Sequence, residues 1–289
     1  MLENKQRFSH FAAIDWSGAK GSRHKGIAVA LCGEGNAAPD IIPPPGKVWS
    51  RREIAEWVLT QAKTSPTLFG FDFSFAPPLV ERRAYFPGDN VPANARAFWA
   101  YVDQLCQDED WGAASLLEQH HRRHFYFGKA DGVKADYMHL RRCEAHYNAG
   151  GGGKPSTVYD AIGAAQVAKA SFAGMRLLHH LNAHLPIWPF DALPATGSLI
   201  VEIYTSIAAR AAKRPKGRTK IRDALTLDAA LAEMDTAPHR PLPAYDDHAT
   251  DALLTVAWMR KHAPDPRYWS PALLTDEIAC TEGWTFGVL

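Results

Sequence analysis

Asp15, Asp72, Glu202, Asp247, His248 and Asp251 are the residues of this chain whose types and settings point to chemistry. Asp15 closes the apolar run Phe11-Ala12-Ala13-Ile14 and precedes Trp16-Ser17-Gly18, a small-residue turn that leaves room beside a carboxylate. Asp72 lies in a strand pattern from Thr67 to Phe75, where Phe69, Phe71, Phe73 and Phe75 share one face and Asp72 takes the other. Glu202 is enclosed by Ile200-Val201 and Ile203-Tyr204, and a carboxylate inside a strand is costly unless it is paired, solvated or metal-bound. In Asp246-Asp247-His248-Ala249-Thr250-Asp251, the pairs Asp247/Asp251 and His248/Asp251 are spaced to share a helical face. Acids forced together repel and hold one another's pKa up, and a hard divalent cation such as Mg²⁺ or Mn²⁺ removes the repulsion. Two such ions roughly 3.5–4 Å apart activate a water and stabilise the leaving oxygen of a phosphodiester. Plainer roles compete: Asp15 as a turn residue, Asp246 as a helix N-cap, Asp247 as a partner of the helix dipole, and His248 as a surface residue. Asp251, followed by Ala-Leu-Leu, is the hardest to explain that way.

The elements that must position these groups follow from periodicity. Phe11 to Asp15 and Gly26 to Leu31 form an expected antiparallel pair, and a third strand is expected within residues 38–49. Ser50-Arg51-Arg52-Glu53 is a capping box opening a helix to about Lys63. The Thr67–Phe75 strand ends at Pro77-Pro78, and its helical crossover from the first strand favours parallel pairing, which sets neighbouring backbones about 4.8 Å apart. Helical patterns dominate from about Glu81 to Leu185, with Ala161 to Leu185 as one or two helices. A strand is expected at Ser198 to Tyr204, then helices at Asp223 to Met234 and Asp246 to Lys261. The layout is α/β: a mixed five-stranded sheet flanked by helices and interrupted by a long helical insertion. Residues 1–80 and 195–262 make the core, 81–194 the insertion, and 263–289 a tail that packs back onto the core.

The net charge of +1 gives no global attraction to nucleic acid or anionic lipid, so any such affinity must be local. Lys213, Arg214, Lys216, Arg218 and Lys220 are candidates for phosphate contacts, with a solvated surface loop as the alternative. His120 and His124 have helical metal spacing, but no HExxH motif and no third ligand is near in sequence; an amphipathic helix with buried aromatics is the expectation. Gly150 to Lys154 fails the phosphate-loop pattern at Asn148 and Pro155. The four cysteines form no CxxC pair. With no apolar leader in MLENKQRFSH and no run of ~20 apolar residues, a soluble, reduced, cytoplasmic protein without a membrane partner is expected.

Four segments together resemble a family of predicted nucleases of ribonuclease-H-like fold (domain of unknown function 429). They are Ala13-Ile14-Asp15-Trp16-Ser17-Gly18, Gly70-Phe71-Asp72-Phe73-Ser74-Phe75, Val201-Glu202-Ile203-Tyr204-Thr205-Ser206, and Asp246 to Leu253. The last is also similar to the closing helix of Holliday-junction resolvases. The resemblance implies that Asp15, Asp72, His248 and Asp251 are metal ligands, that Glu202 matches a less uniform acid, and that a homodimer is an option. Gly217-Arg218-Thr219-Lys220 is similar to a Gly-Arg-x-x-Lys signature, one residue short. The leading expectation is a metal-dependent nuclease acting on DNA or RNA, with Asp15, Asp72 and Asp251 as core ligands and Glu202, Asp247 or His248 completing the shell. A sugar-kinase- or actin-like ATP-binding phosphotransferase would need a second glycine-rich turn, which residues 246–251 lack. A non-catalytic nucleic-acid-binding protein would have less use for so many acids.

Overall fold

The computed structural model of the chain describes residues 7–162, 167–214 and 220–289. Its centre is a five-stranded mixed sheet in the order β3-β2-β1-β4-β5. The strands are β1 (His10–Asp15), β2 (Ala28–Gly33), β3 (Asp40–Ile41), β4 (Thr67–Phe71) and β5 (Leu199–Glu202). β1 pairs antiparallel with β2 and β2 with β3, whereas β1/β4 and β4/β5 are parallel. β3 falls inside the expected window and has only two residues, which is why its signal in the sequence is faint.

The helices are α1 (Arg51–Thr64), α2 (Ala95–Leu105), α3 (Arg142–Ala149), α4 (Val167–Leu181), α5 (Thr205–Ala211), α6 (Ala224–Ala232), α7 (Asp247–His262) and α8 (Asp276–Thr281). α1 starts on the capping box: Ser50 Oγ accepts from Glu53 N at 3.1 Å and Glu53 Oε2 accepts from Ser50 N at 2.9 Å. Two elements depart from expectation. β4 stops at Phe71 rather than Phe75, because past Asp72 the backbone leaves the ladder and Phe75 N donates to the Glu202 side chain at 2.7 Å. The segment around His120 is no amphipathic α-helix: Leu116–His120 is a single π turn followed by a 3₁₀ turn at Arg122–His124.

Period-two alternation sends sheet residues to two apolar layers. Ala12, Ile14, Val29, Phe69, Phe71 and Ile200 face one layer with α1, α2 and α4. Phe11, Ala13, Ala30, Leu68, Leu199 and Val201 face the other with α5, α6, α7 and the tail. Phe73 and Phe75 lie beyond β4 yet stay on the first side, with ring centroids 5.1 Å apart and Trp16 5.4 Å from Phe73. Each such ring contributes roughly 1.5–3 kcal/mol of burial, which holds the turn after Asp72 in place. The tail runs beside β5, where Phe286 N donates to Glu202 O at 2.9 Å.

Two glycines set the spacing around the strand ends. A Cβ on Gly70, in the middle of β4, would lie 2.6 Å from Ile203 Cγ2 and 2.8 Å from Met259 Sδ, so α7 sits close against β4. A Cβ on Gly18 would lie 2.2 Å from Ala170 N, so the turn after β1 and the α4 backbone meet there in van der Waals contact. Among the described residues, no helix is long and apolar enough to cross a membrane.

Candidate metal centre

β1 and β4 are parallel neighbours in the register Ile14↔Phe71, so the next residues along each, Asp15 and Asp72, leave the sheet together at its carboxyl edge. Asp72 N still donates to Ile14 O at 3.0 Å, which ties the two positions. Ligand sites of open α/β sheets gather at this edge. α7 lies across β1 and β2 and delivers Asp251 and His248 to the same place. Asp246 is its N-cap, accepting from Ala249 N at 2.9 Å. Asp15, Asp72, His248 and Asp251 all line one cleft of ≈490 Å³.

Three acids crowd this cleft, Asp15, Asp72 and Asp251. Burial raises the Asp15 carboxyl above its ordinary value, against the lowering effect of His248. Asp72 is held well above its ordinary value by burial and then by the neighbouring Asp15 and Asp251. Asp251 is pushed up to about 7, again by burial first and then by Asp15 and Asp247. The hydroxyl of Thr205 donates to Asp72 Oδ2 at 3.3 Å. His248 Nδ1 lies 2.5 Å from Asp15 Oδ2, and that contact raises the histidine pKa. The described cations lining the cleft are Arg141, Lys220 and, when protonated, His248. Arg141 and Lys220 are bound to other acids, so His248 is the only one of these on the triad.

Glu202 and Asp247 depart from the expected ligand set. Glu202 lines the cleft, but its carboxylate forks onto Arg141, Oε2 to Nη1 at 2.7 Å and Oε1 to Nη2 at 2.5 Å. Phe75 N donates to Oε2 and the Thr285 hydroxyl to Oε1. Of the three ways to carry a carboxylate in a strand, this chain pairs it, and no lone pair is left facing the cleft. Asp247 also lines the cleft, but its carboxylate is paired with Lys220 and Arg222.

The basic segment is partly spoken for. Lys220 pairs with Asp247, and Lys213, at a positive φ, pairs with Glu233 at 2.8 Å. Arg214 is also engaged within the chain. Lys216 and Arg218 lie outside the described residues.

Sequence reasoning missed Arg141 and Thr205 at this site, and elsewhere the convergence of Asp89 and His121 with His124. Arg141 is fully buried beneath the cleft between Glu144 and Glu202, and an arginine in a polar stretch gave no sign of this. Thr205 lies in a motif segment that gives no sign of its bond to Asp72. Asp89, His121 and His124 converge elsewhere, the acid arriving from more than 30 residues upstream. No known family, curated protein or solved structure matches the chain.

Proposed function

We propose that the chain is a metal-dependent nuclease of ribonuclease-H-like fold that hydrolyses phosphodiester bonds in nucleic acid. The single observation carrying this reading is the meeting of Asp15, Asp72 and Asp251 in one cleft at the carboxyl ends of β1 and β4, where His248 is the one described cation paired with any of them. The mixed sheet with helices on both faces supports the fold assignment.

The donor set fits the ion. Three carboxylates form an all-oxygen site, which suits Mg²⁺ or Mn²⁺ with waters completing the shell. Such an ion supplies Lewis-acid polarisation of a phosphoryl oxygen and a more acidic water. The chain supplies the rest. His248 grips one oxygen of Asp15. Thr205 holds Asp72 by one oxygen. Tyr147 and Tyr204 line the wall edge to face, centroids 6.0 Å apart, and offer an aromatic surface for a base. No glycine is among the described residues lining this cleft, so the phosphate-loop chemistry of an ATP-binding phosphotransferase has no counterpart there.

The test is cleavage of a panel of labelled single-stranded, duplex and branched DNA and RNA with Mn²⁺ or Mg²⁺. Wild-type protein cuts at least one substrate. Asp15→Asn and Asp251→Asn lose at least about 100-fold, since even the outer partners of metal ligands are worth roughly 10–100-fold. Undiminished cleavage in both variants, or no cleavage of any substrate by metal-loaded protein, overturns the proposal.

A further inference from the structure

A second group of ligating side chains stands apart from the carboxylate cleft; Asp89, His121 and His124 are absent from its lining. One ligand atom from each lies within 4.8 Å of the other two. Asp89 Oδ2 sits 2.7 Å from His121 Nδ1 and 2.8 Å from His124 Nε2, so both rings point at one oxygen. The side chains of His121 and His124 are only 7% and 8% exposed, whereas that of Asp89 is 21% exposed. Phe86 stacks on both imidazoles, with centroids 4.4 Å from His121 and 4.9 Å from His124.

The surroundings are those of a metal ligand set. His121 Nε2 lies 2.8 Å from the Tyr101 hydroxyl, a polar partner on the far ring nitrogen that fixes ring orientation. Arg123 binds the other oxygen of Asp89. His124 Nε2 faces Asp89 Oδ2 at 2.8 Å, with Arg123 Nε 3.3 Å from the same nitrogen. A cation at that point would take the place of the proton shared between His124 Nε2 and Asp89 Oδ2.

We infer that Asp89 Oδ2, His121 Nδ1 and His124 Nε2 bind one transition-metal ion of the Zn²⁺ type, with solvent in a fourth position on the exposed Asp89 side. Two imidazoles and one carboxylate suit zinc, which takes nitrogen ligands at roughly 2.0–2.1 Å and prefers tetrahedral sites. On binding, the proton of His121 moves from Nδ1 to Nε2, which then donates to the Tyr101 oxygen. The ion ties the turn after Phe86 to the turn at His121–His124, two segments that share no regular secondary structure.

The test uses the full chain carrying Asp15→Asn and Asp251→Asn, so that the carboxylate cleft contributes no binding and its own assignment is not at stake. The metal-stripped protein is titrated with Zn²⁺ against a competing chelator, and separately with Co²⁺. One equivalent of Zn²⁺ is expected to bind, with affinity falling by about 100-fold in His124→Gln and in Asp89→Asn. Bound Co²⁺ is expected to show the visible absorption of a tetrahedral nitrogen-ligated site. Less than one equivalent of Zn²⁺, or equal affinity in His124→Gln, overturns the inference. Should the variants fail to fold, the Co²⁺ spectrum of the parent decides, and absence of tetrahedral bands overturns it.

Discussion

His248, in the first turn of α7, places Nδ1 2.5 Å from Oδ2 of Asp15 at the end of β1, a residue 233 positions earlier. The contact joins the strand that opens the sheet to the helix that closes the site. Asp15 shares its cleft with Asp72 and Asp251. Since the His248 side chain is 48% exposed, its loss should spare the fold. His248→Ala is expected to weaken Mn²⁺ binding by roughly 10–100-fold in a calorimetric titration, as loss of an orienting partner does. Unchanged affinity would remove His248 from the centre.

The raised carboxyls make a pH prediction with a definite sign. Asp251 has an ordinary value of 3.8 and stands at about 7 in the folded chain. Between those values the folded state holds a proton that the unfolded state has released, so this group costs stability as pH rises through the window. Asp251→Asn removes that cost. The metal-free variant should therefore gain stability over wild type from pH 5 to pH 7, by up to roughly 1.4 kcal/mol per pH unit. Urea unfolding at a series of pH values measures the difference, and a gap that shrinks with pH would contradict the assignment.

Glu202 and Arg141 should behave as structure. Breaking a buried ion pair from one side costs about 3–5 kcal/mol because the remaining charge is stranded. Arg141→Met is therefore expected to unfold at much lower denaturant concentration than wild type. Glu202→Gln should lower stability while leaving Mn²⁺ affinity within about twofold, far short of the 10–100-fold expected for a metal partner. A Glu202→Gln variant of full stability and lost metal binding would return Glu202 to the ligand set.

Much of this arrangement was legible in the sequence where local pattern and tertiary role coincide. The capping box at Ser50 and Glu53, the N-cap at Asp246 and the aromatic ladder from Phe69 to Phe75 are each written in neighbouring residues, and the structure shows each of them. The strand end at Phe71 was not legible, because Phe73 and Phe75 keep the alternation of a strand while the backbone N–H of Ser74 turns to Ser171 and that of Phe75 to Glu202. Arg141 with Glu202, and Asp89 with His121 and His124, were invisible for another reason. Their partners are distant in sequence, and nothing in a polar stretch announces which arginine or histidine will be buried. Asp247 shows the converse: its helical spacing to Asp251 is real, yet Lys220 and Arg222 occupy its carboxylate.

The most direct measurement is a crystal structure of the wild-type chain soaked in Mn²⁺, with anomalous scattering locating the ion. The account predicts a peak with carboxylate oxygens of Asp15, Asp72 and Asp251 within about 2–2.3 Å, a range that brackets Mg²⁺–oxygen lengths. Crystals that show those three side chains as described here, with no anomalous peak among them at saturating Mn²⁺, would contradict it.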